Sequence, residues 1–183
     1  MEFAQKIYYN NKPLIITSNS QQYIASHPVA ADYLLLTGAS THNCRLATEH
    51  LDKPGTLGAM IEGASTGSLH NELYSIYEPI DAGGGVVLNE AGAVLMIYRR
   101  GKWDLPKGKR DEGEDIADCA LREVSEETGL KKLKLAEKIC DTYHIYSQNK
   151  QNLLKRTTWY KMEGTAEEGG ACGIILSPCG LNV

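Results

Sequence analysis

Three carboxylates, Glu123, Glu126 and Glu127, fall three and four residues apart on a segment whose apolar pattern is helical, so they gather on one side within a single turn. Hard divalent cations such as Mg²⁺ or Mn²⁺ prefer carboxylate and carbonyl oxygens, commonly beside waters and substrate phosphates. The same side chains crowd a helix C-terminus, where the macrodipole already carries partial negative charge. Like charges there destabilise the helix unless cations neutralise them, and Arg122 alone is too few. Two accounts fit these residue types: a metal-binding face, or a solvated acidic face with Lys131 and Lys132 nearby.

The element that must position them is the stretch Gly108 to Leu130, GKRDEGEDIADCALREVSEETGL. It reads as a loop leading into a helix. Asp115 is the expected N-cap, with Asp118 three residues on as a weak capping-box partner. Ile116, Ala120 and Val124 recur every four residues and, joined by Ala117 and Leu121, make one apolar stripe for a core. Gly129 stands where a left-handed residue would stop the helix, with Leu130 placed to fold back onto Val124.

The order of residue types is more specific than the acidic face. Gly108, five residues, Glu114, seven residues, Arg122-Glu123-Val124, one residue, Glu126-Glu127, one residue, Gly129-Leu130 matches every specified position of the Nudix box. Chance occurrence in this chain is on the order of 10⁻⁸ to 10⁻⁷. The preceding Trp103-Asp104-Leu105-Pro106-Lys107 also looks like the lead-in of many such proteins. The chain therefore resembles the Nudix hydrolase superfamily over about Ala82 to Gly164.

That resemblance implies an α/β (α+β) fold, with the box helix packed on a mixed β-sheet. It also implies hydrolysis of a pyrophosphate bond in a nucleoside diphosphate-linked compound, with Mg²⁺ or Mn²⁺ as cofactor. Glu126 and Glu127 would be the strongest metal ligands. Glu123 would be a ligand or the general base, and the two roles stay open. The carbonyl of Gly108 would complete the metal shell, Arg122 would orient Glu123, and Glu114 would brace the loop and helix start. Lys107 would clamp phosphate. Arg99 and Arg100 leave the preceding strand toward the box, either to reach substrate phosphates or to remain solvated. Trp103 either joins the core or stacks on a base. Tyr146, 17 residues beyond Gly129, and Pro106-Lys107-Gly108 are similar to features of the diadenosine polyphosphate hydrolases. They tilt the expected substrate toward a dinucleoside polyphosphate or a diphosphoinositol-type compound. ADP-ribose or another ADP-sugar and nucleoside triphosphates are the rivals, and Tyr143 to Leu154 lacks the proline that ADP-sugar hydrolases often carry. A reading of another class also stands: a non-catalytic ligand-binding or regulatory module on the same scaffold.

The bounds of the chain agree with a soluble enzyme. Its 183 residues suffice for one generous domain or two small ones, and 42% hydrophobic with 23% charged residues is ordinary globular composition. A formal net charge of −4 argues against general attraction to nucleic acid or anionic membrane. No apolar run approaches a membrane span, and Met1 to Thr17 lacks a signal-peptide pattern. The five cysteines form no CxxC pair and no zinc spacing with histidine, so reduced thiols in the cytoplasm are expected. His27, His42, His50 and His70 are not at ligand spacings either.

Residues 1–80 read as a separate small α/β domain without a catalytic constellation. A hairpin is expected from Lys6 to Tyr9 and Leu14 to Thr17 around Asn10-Asn11. Further expectations are strands at Asp32 to Leu36 and Leu57 to Ile61, a helix from Thr41 to about Leu51, and a helix capped by Ser68. Gly63 to Gly67 is taken as a loop, because it lacks the lysine and spacing of a Walker motif. Homodimerisation, closure over substrate and recognition are the open roles of this unit. Residues 81–183 form the second domain. A hairpin is expected from Gly85 to Asn89 and Val94 to Arg99, and another from Leu133 to Ile145 and Leu153 to Met162. The tail 165–183, rich in glycine and cysteine, shows no closing helix, so the C-terminal helix is expected to be missing. Glu167 and Glu168 in it offer either an additional carboxylate or part of a mobile tail.

Overall fold

The computed structural model describes residues 4–63, 65–148, 151–164 and 173–176. They fall into two compact units. One comprises the described residues up to Pro79 with Tyr143–Lys155, and the other Ile80–Thr142 with the described residues from Arg156 onward.

In the first unit β1 (Ala4–Tyr9) and β2 (Lys12–Thr17) form the expected antiparallel hairpin, with Ile7 opposite Leu14. Asn10 and Asn11 take the positive φ angles, 47° and 66°, that this turn requires. The chain continues through α1 (Ser20–Ser26), a short 3₁₀ turn, β3 (Leu34–Thr37), α2 (Thr41–Asp52), β4 (Ala59–Glu62) and α3 (Thr66–Ile76). Strands β2 and β3 flank β4, both parallel to it, with Leu14 and Leu34 each opposite Ala59. The other edge of the hairpin is closed by the far end of β9 (Leu133–Gln148): β1 pairs with it in parallel, Ile7 opposite Tyr143. Ile7, Leu14, Ile61, Leu73, Ile145 and Leu154 meet in one buried cluster. The cap of α3 corrects an expectation. Ser65, not Ser68, caps it, its Oγ accepting from the Ser68 amide at 3.1 Å, so Thr66 and Gly67 belong to the first turn rather than to a loop. Helix α1, with Asn19 as its cap, was not expected from the sequence.

The second unit is built on β5 (Glu78–Leu88), β6 (Val94–Arg99), β7 (Lys102–Asp104), β8 (Lys107–Lys109), α4 (Ile116–Thr128), β9, β10 (Gln151–Gly164) and β11 (Gly173–Leu176). Its strand order is β11-β6-β5-β10-β9, with β7 added on β6 and β8 on β5. The architecture is a mixed α/β fold with a mixed sheet, as expected. Helix α4 lies over this sheet: Ala120 and Val124 are buried against Val87, Leu95 and Met162, with Leu121 and Leu130 closing the edge. Complete burial of a side chain such as Val124 is worth about 1.5–3 kcal/mol. The close seat depends on Gly83 in β5, because a Cβ there would stand 2.6 Å from the Ala120 amide nitrogen. The helix ends as expected at Gly129, with φ 77°, whose amide donates to the Ser125 carbonyl at 2.8 Å. Strands β7 and β8, three residues each, are shorter than a sequence pattern of period two can reveal. The expected absence of a closing helix, and Glu167 and Glu168, lie outside the described residues.

Candidate functional site

The box begins on β8. Its three residues pair antiparallel with β5, Gly108 opposite Gly83 and Lys107 opposite Gly84, which fixes the backbone leading into α4. Asp115 then caps the helix by accepting from the Ala117 amide at 2.8 Å. Gly108 lies directly beneath Glu123: a Cβ on it would fall 1.9 Å from Glu123 Oε2. With Glu123 in this rotamer a Cβ would overlap its carboxylate, so glycine lets the Gly108 backbone and the Glu123 side chain come together.

Arg122 organises the loop. Its Nε and Nη2 donate to Oε1 and Oε2 of Glu114 at 2.8 and 2.9 Å, a bidentate pair, while Nη2 also reaches the Lys109 carbonyl at 3.0 Å. Nη1 donates to Glu123 Oε1 at 2.8 Å and, more weakly, to Glu126 Oε2 at 3.4 Å. Glu114 in turn accepts from the Asp111 amide at 3.0 Å. The Arg122 guanidinium, then the Asp111 amide, hold the Glu114 carboxyl well below its usual range, at about 2. The same hydrogen bonds, donated to Glu114 and Glu123, raise Arg122 above its ordinary value. Cys119 is buried under the loop, its thiol 3.7 Å from the Gly108 carbonyl, and burial pushes it up to about 11.

Arg122 does not neutralise the acidic face alone, in line with the charge count made from the helix sequence. Arg99, the last residue of β6, pairs through Nη1 with Oε1 of Glu127. The other oxygen of Glu127 accepts from the Lys107 amide at 3.0 Å. Glu126 is the open member of the set, 61% exposed against 15% for Glu123 and 18% for Glu127.

The structure thus brings together Gly108, Glu114, Arg122, Glu123, Glu126, Glu127, Lys107 and Arg99. The remaining expected contacts are placed differently. The Lys107 ammonium pairs with Asp104, a partner the sequence reading missed, although its i, i+3 spacing was visible. Trp103 is 43% exposed and rests against Tyr98 with ring centroids 5.0 Å apart, so it is not a core residue. Arg100 is exposed, at φ 52° in the turn between β6 and β7. Tyr146 belongs to the first unit, where the Lys155 ammonium lies 5.9 Å from its ring centroid and burial raises its phenol.

The donor chemistry of the box suits a hard cation: three carboxylates and the backbone of Gly108, all oxygen. Among the described residues no three acidic, histidine or cysteine side chains already converge at metal-binding distance. The arginines stand on the carboxylates instead. No helix among the described residues is long and apolar enough to cross a membrane.

Residues 79–167 match the family model of the NUDIX domain, and this part of the chain is a NUDIX domain preceded by an additional unit. A putative 8-oxo-dGTP diphosphatase of Bacillus subtilis is 46% identical over 46 residues, 24% of this chain and 31% of that protein. An RNA pyrophosphohydrolase of Brucella ovis is 49% identical over 69 residues, 32% of this chain and 39% of that protein. The chain therefore spans well under half the length of these curated relatives. Among solved structures, the MutT protein of Methanosarcina mazei is 22% identical with a TM-score of 0.43, over 55% of this chain and 78% of that one.

Proposed function

We propose that the NUDIX domain of this chain is a divalent-metal-dependent hydrolase that cleaves a pyrophosphate bond in a nucleoside diphosphate-linked compound. The observation that carries this is the box itself: Glu123, Glu126 and Glu127 on the last turns of α4, with Arg122 tied to both Glu114 and Glu123 above the Gly108 loop. The matched relatives are named a diphosphatase and a pyrophosphohydrolase, which supports the reaction class.

Glu126, Glu127, Glu123 and the Gly108 carbonyl would hold Mg²⁺ or Mn²⁺, which when bound screens the charge of the pyrophosphate and lowers the pKa of water. Arg122 keeps Glu123 oriented, as ligand or as the general base that removes a proton from water. Glu114 keeps Arg122 in place and remains ionised at every physiological pH. Arg99 supplies positive charge beside the carboxylates, and the Lys107 ammonium, held by Asp104, is the proposed phosphate clamp. Trp103 is exposed enough to stack on a base.

Pro106-Lys107-Gly108 favours a dinucleoside polyphosphate or diphosphoinositol-type substrate over ADP-ribose and nucleoside triphosphates. We assign residues 1–80 and 81–183 as the two domains of a cytoplasmic protein, the first completed by Tyr143–Lys155, with homodimerisation through the first. Chromatographic separation of the cleavage products from a panel tests the substrate class: diadenosine polyphosphates, ADP-ribose, nucleoside triphosphates and a diphosphoinositol phosphate, each with Mg²⁺, Mn²⁺ or EDTA. Turnover of one class, abolished by EDTA, is expected. Silence across the panel from a folded protein would favour the binding module instead.

A further inference from the structure

Arg99 and Glu127 meet from different elements, the end of β6 and the last turn of α4, and the way Glu127 is held makes its two oxygens unequal. Oε2 accepts from the Lys107 amide, a backbone donor fixed by the pairing of β8 with β5. Oε1 is taken by a side chain that is itself 54% exposed and that ends its strand, with the Arg100-Gly101 turn following. Withdrawing the Lys107 amide would require breaking a strand pair. Withdrawing the Arg99 guanidinium requires only a rotation of its side chain into solvent.

We infer that Arg99 is a resident counter-ion for Glu127, which a divalent cation must displace from Oε1, so that Arg99 sets the metal affinity of the site. This rests on the metal reading proposed above. In the metal-free chain the guanidinium offsets charge repulsion at the C-terminus of α4. On metal binding the same arginine is released into the space beside the carboxylates. Arg99 is thus a tuning residue: it opposes the metal through a contact that any occupant of Oε1 must replace.

Mn²⁺ titration of the EDTA-stripped intact chain, followed by the electron paramagnetic resonance signal of the free ion, tests the inference without turnover. Arg99→Ala and Arg99→Gln are both expected to tighten Mn²⁺ about two- to fivefold, the range in which loss of an exposed ion pair shifts an equilibrium. Arg100→Asn removes the same charge one residue further on, at a left-handed position that asparagine tolerates, and should shift affinity by less than half as much. Unchanged affinity in the Arg99 variants, or an equal gain from Arg100→Asn, would overturn the inference and leave the metal site standing. Mn²⁺ binding that is absent in the unaltered chain, or indifferent to Glu126→Gln, would overturn the metal reading and this inference with it.

Discussion

Glu114 lies outside the acidic face yet its chemistry governs the residue at the centre of it. Its carboxyl is held at about 2 by Arg122 and the Asp111 amide, against an unfolded value near 4.5. A depressed folded pKa stabilises the native state above the unfolded pKa, and that contribution is lost as pH falls through the folded one. The melting temperature of Glu114→Gln should therefore lie below that of the unaltered protein by a constant margin above about pH 5. The margin should shrink between about pH 4.5 and 2, and a margin that widened toward acid would refute the assignment. Because Arg122 passes this restraint to Glu123, the same variant should lose about 10- to 100-fold in metal affinity or turnover, as for other partners that orient a ligand. At this scale the sequence told most of what mattered. The spacing of Glu114, Arg122 and the three glutamates was enough to place them together. It did not reveal the Arg99–Glu127 pair, since 28 residues of chain separate the partners and no local pattern links them.

Among the elements, α4 was the most legible, with its cap at Asp115, its apolar stripe and its stop at Gly129 all marked by residue type. What held it in place was less so. The seat is Gly83, whose neighbour across the interface is helix backbone rather than a yielding side chain. Gly83→Ala should lower the unfolding free energy by about 1–3 kcal/mol, as overpacking does, and denaturant titration checks this. Since α4 carries all three carboxylates, the same change should reduce metal affinity. A Gly83→Ala variant as stable as the parent would mean that the helix does not rest on this strand. Three consecutive glycines before an apolar run were the available signal, and they point to close backbone approach only once the partner is known. The shift of the α3 cap from Ser68 to Ser65 has a simpler origin: Ser65, Thr66 and Ser68 are all competent caps, so residue type alone did not choose among them.

For the whole molecule, the grouping of segments was the least visible feature. The residues Tyr143–Lys155 lie far along the chain from β1, yet Tyr143, Ile145 and Leu154 share the buried cluster of the first unit, and Ile7 pairs with Tyr143. Such non-local pairing leaves no trace in a hydropathy pattern, which showed only that two β-rich runs follow the box. A chain shortened to begin at Ile80 would leave those three side chains without their partners. It should associate or precipitate where the intact chain does not, measured by light scattering, and a monodisperse shortened chain would contradict this. The chemistry proposed for the α4 carboxylates is metal-dependent hydrolysis. It is tested most directly by the turnover of Glu127→Gln beside the unaltered protein, on the panel substrate cleaved fastest in Mg²⁺. A loss of about 10²- to 10³-fold is expected, typical of removing one preorganised electrostatic group, with the fold retained. Undiminished turnover in that variant would mean that the chemistry lies elsewhere in the molecule.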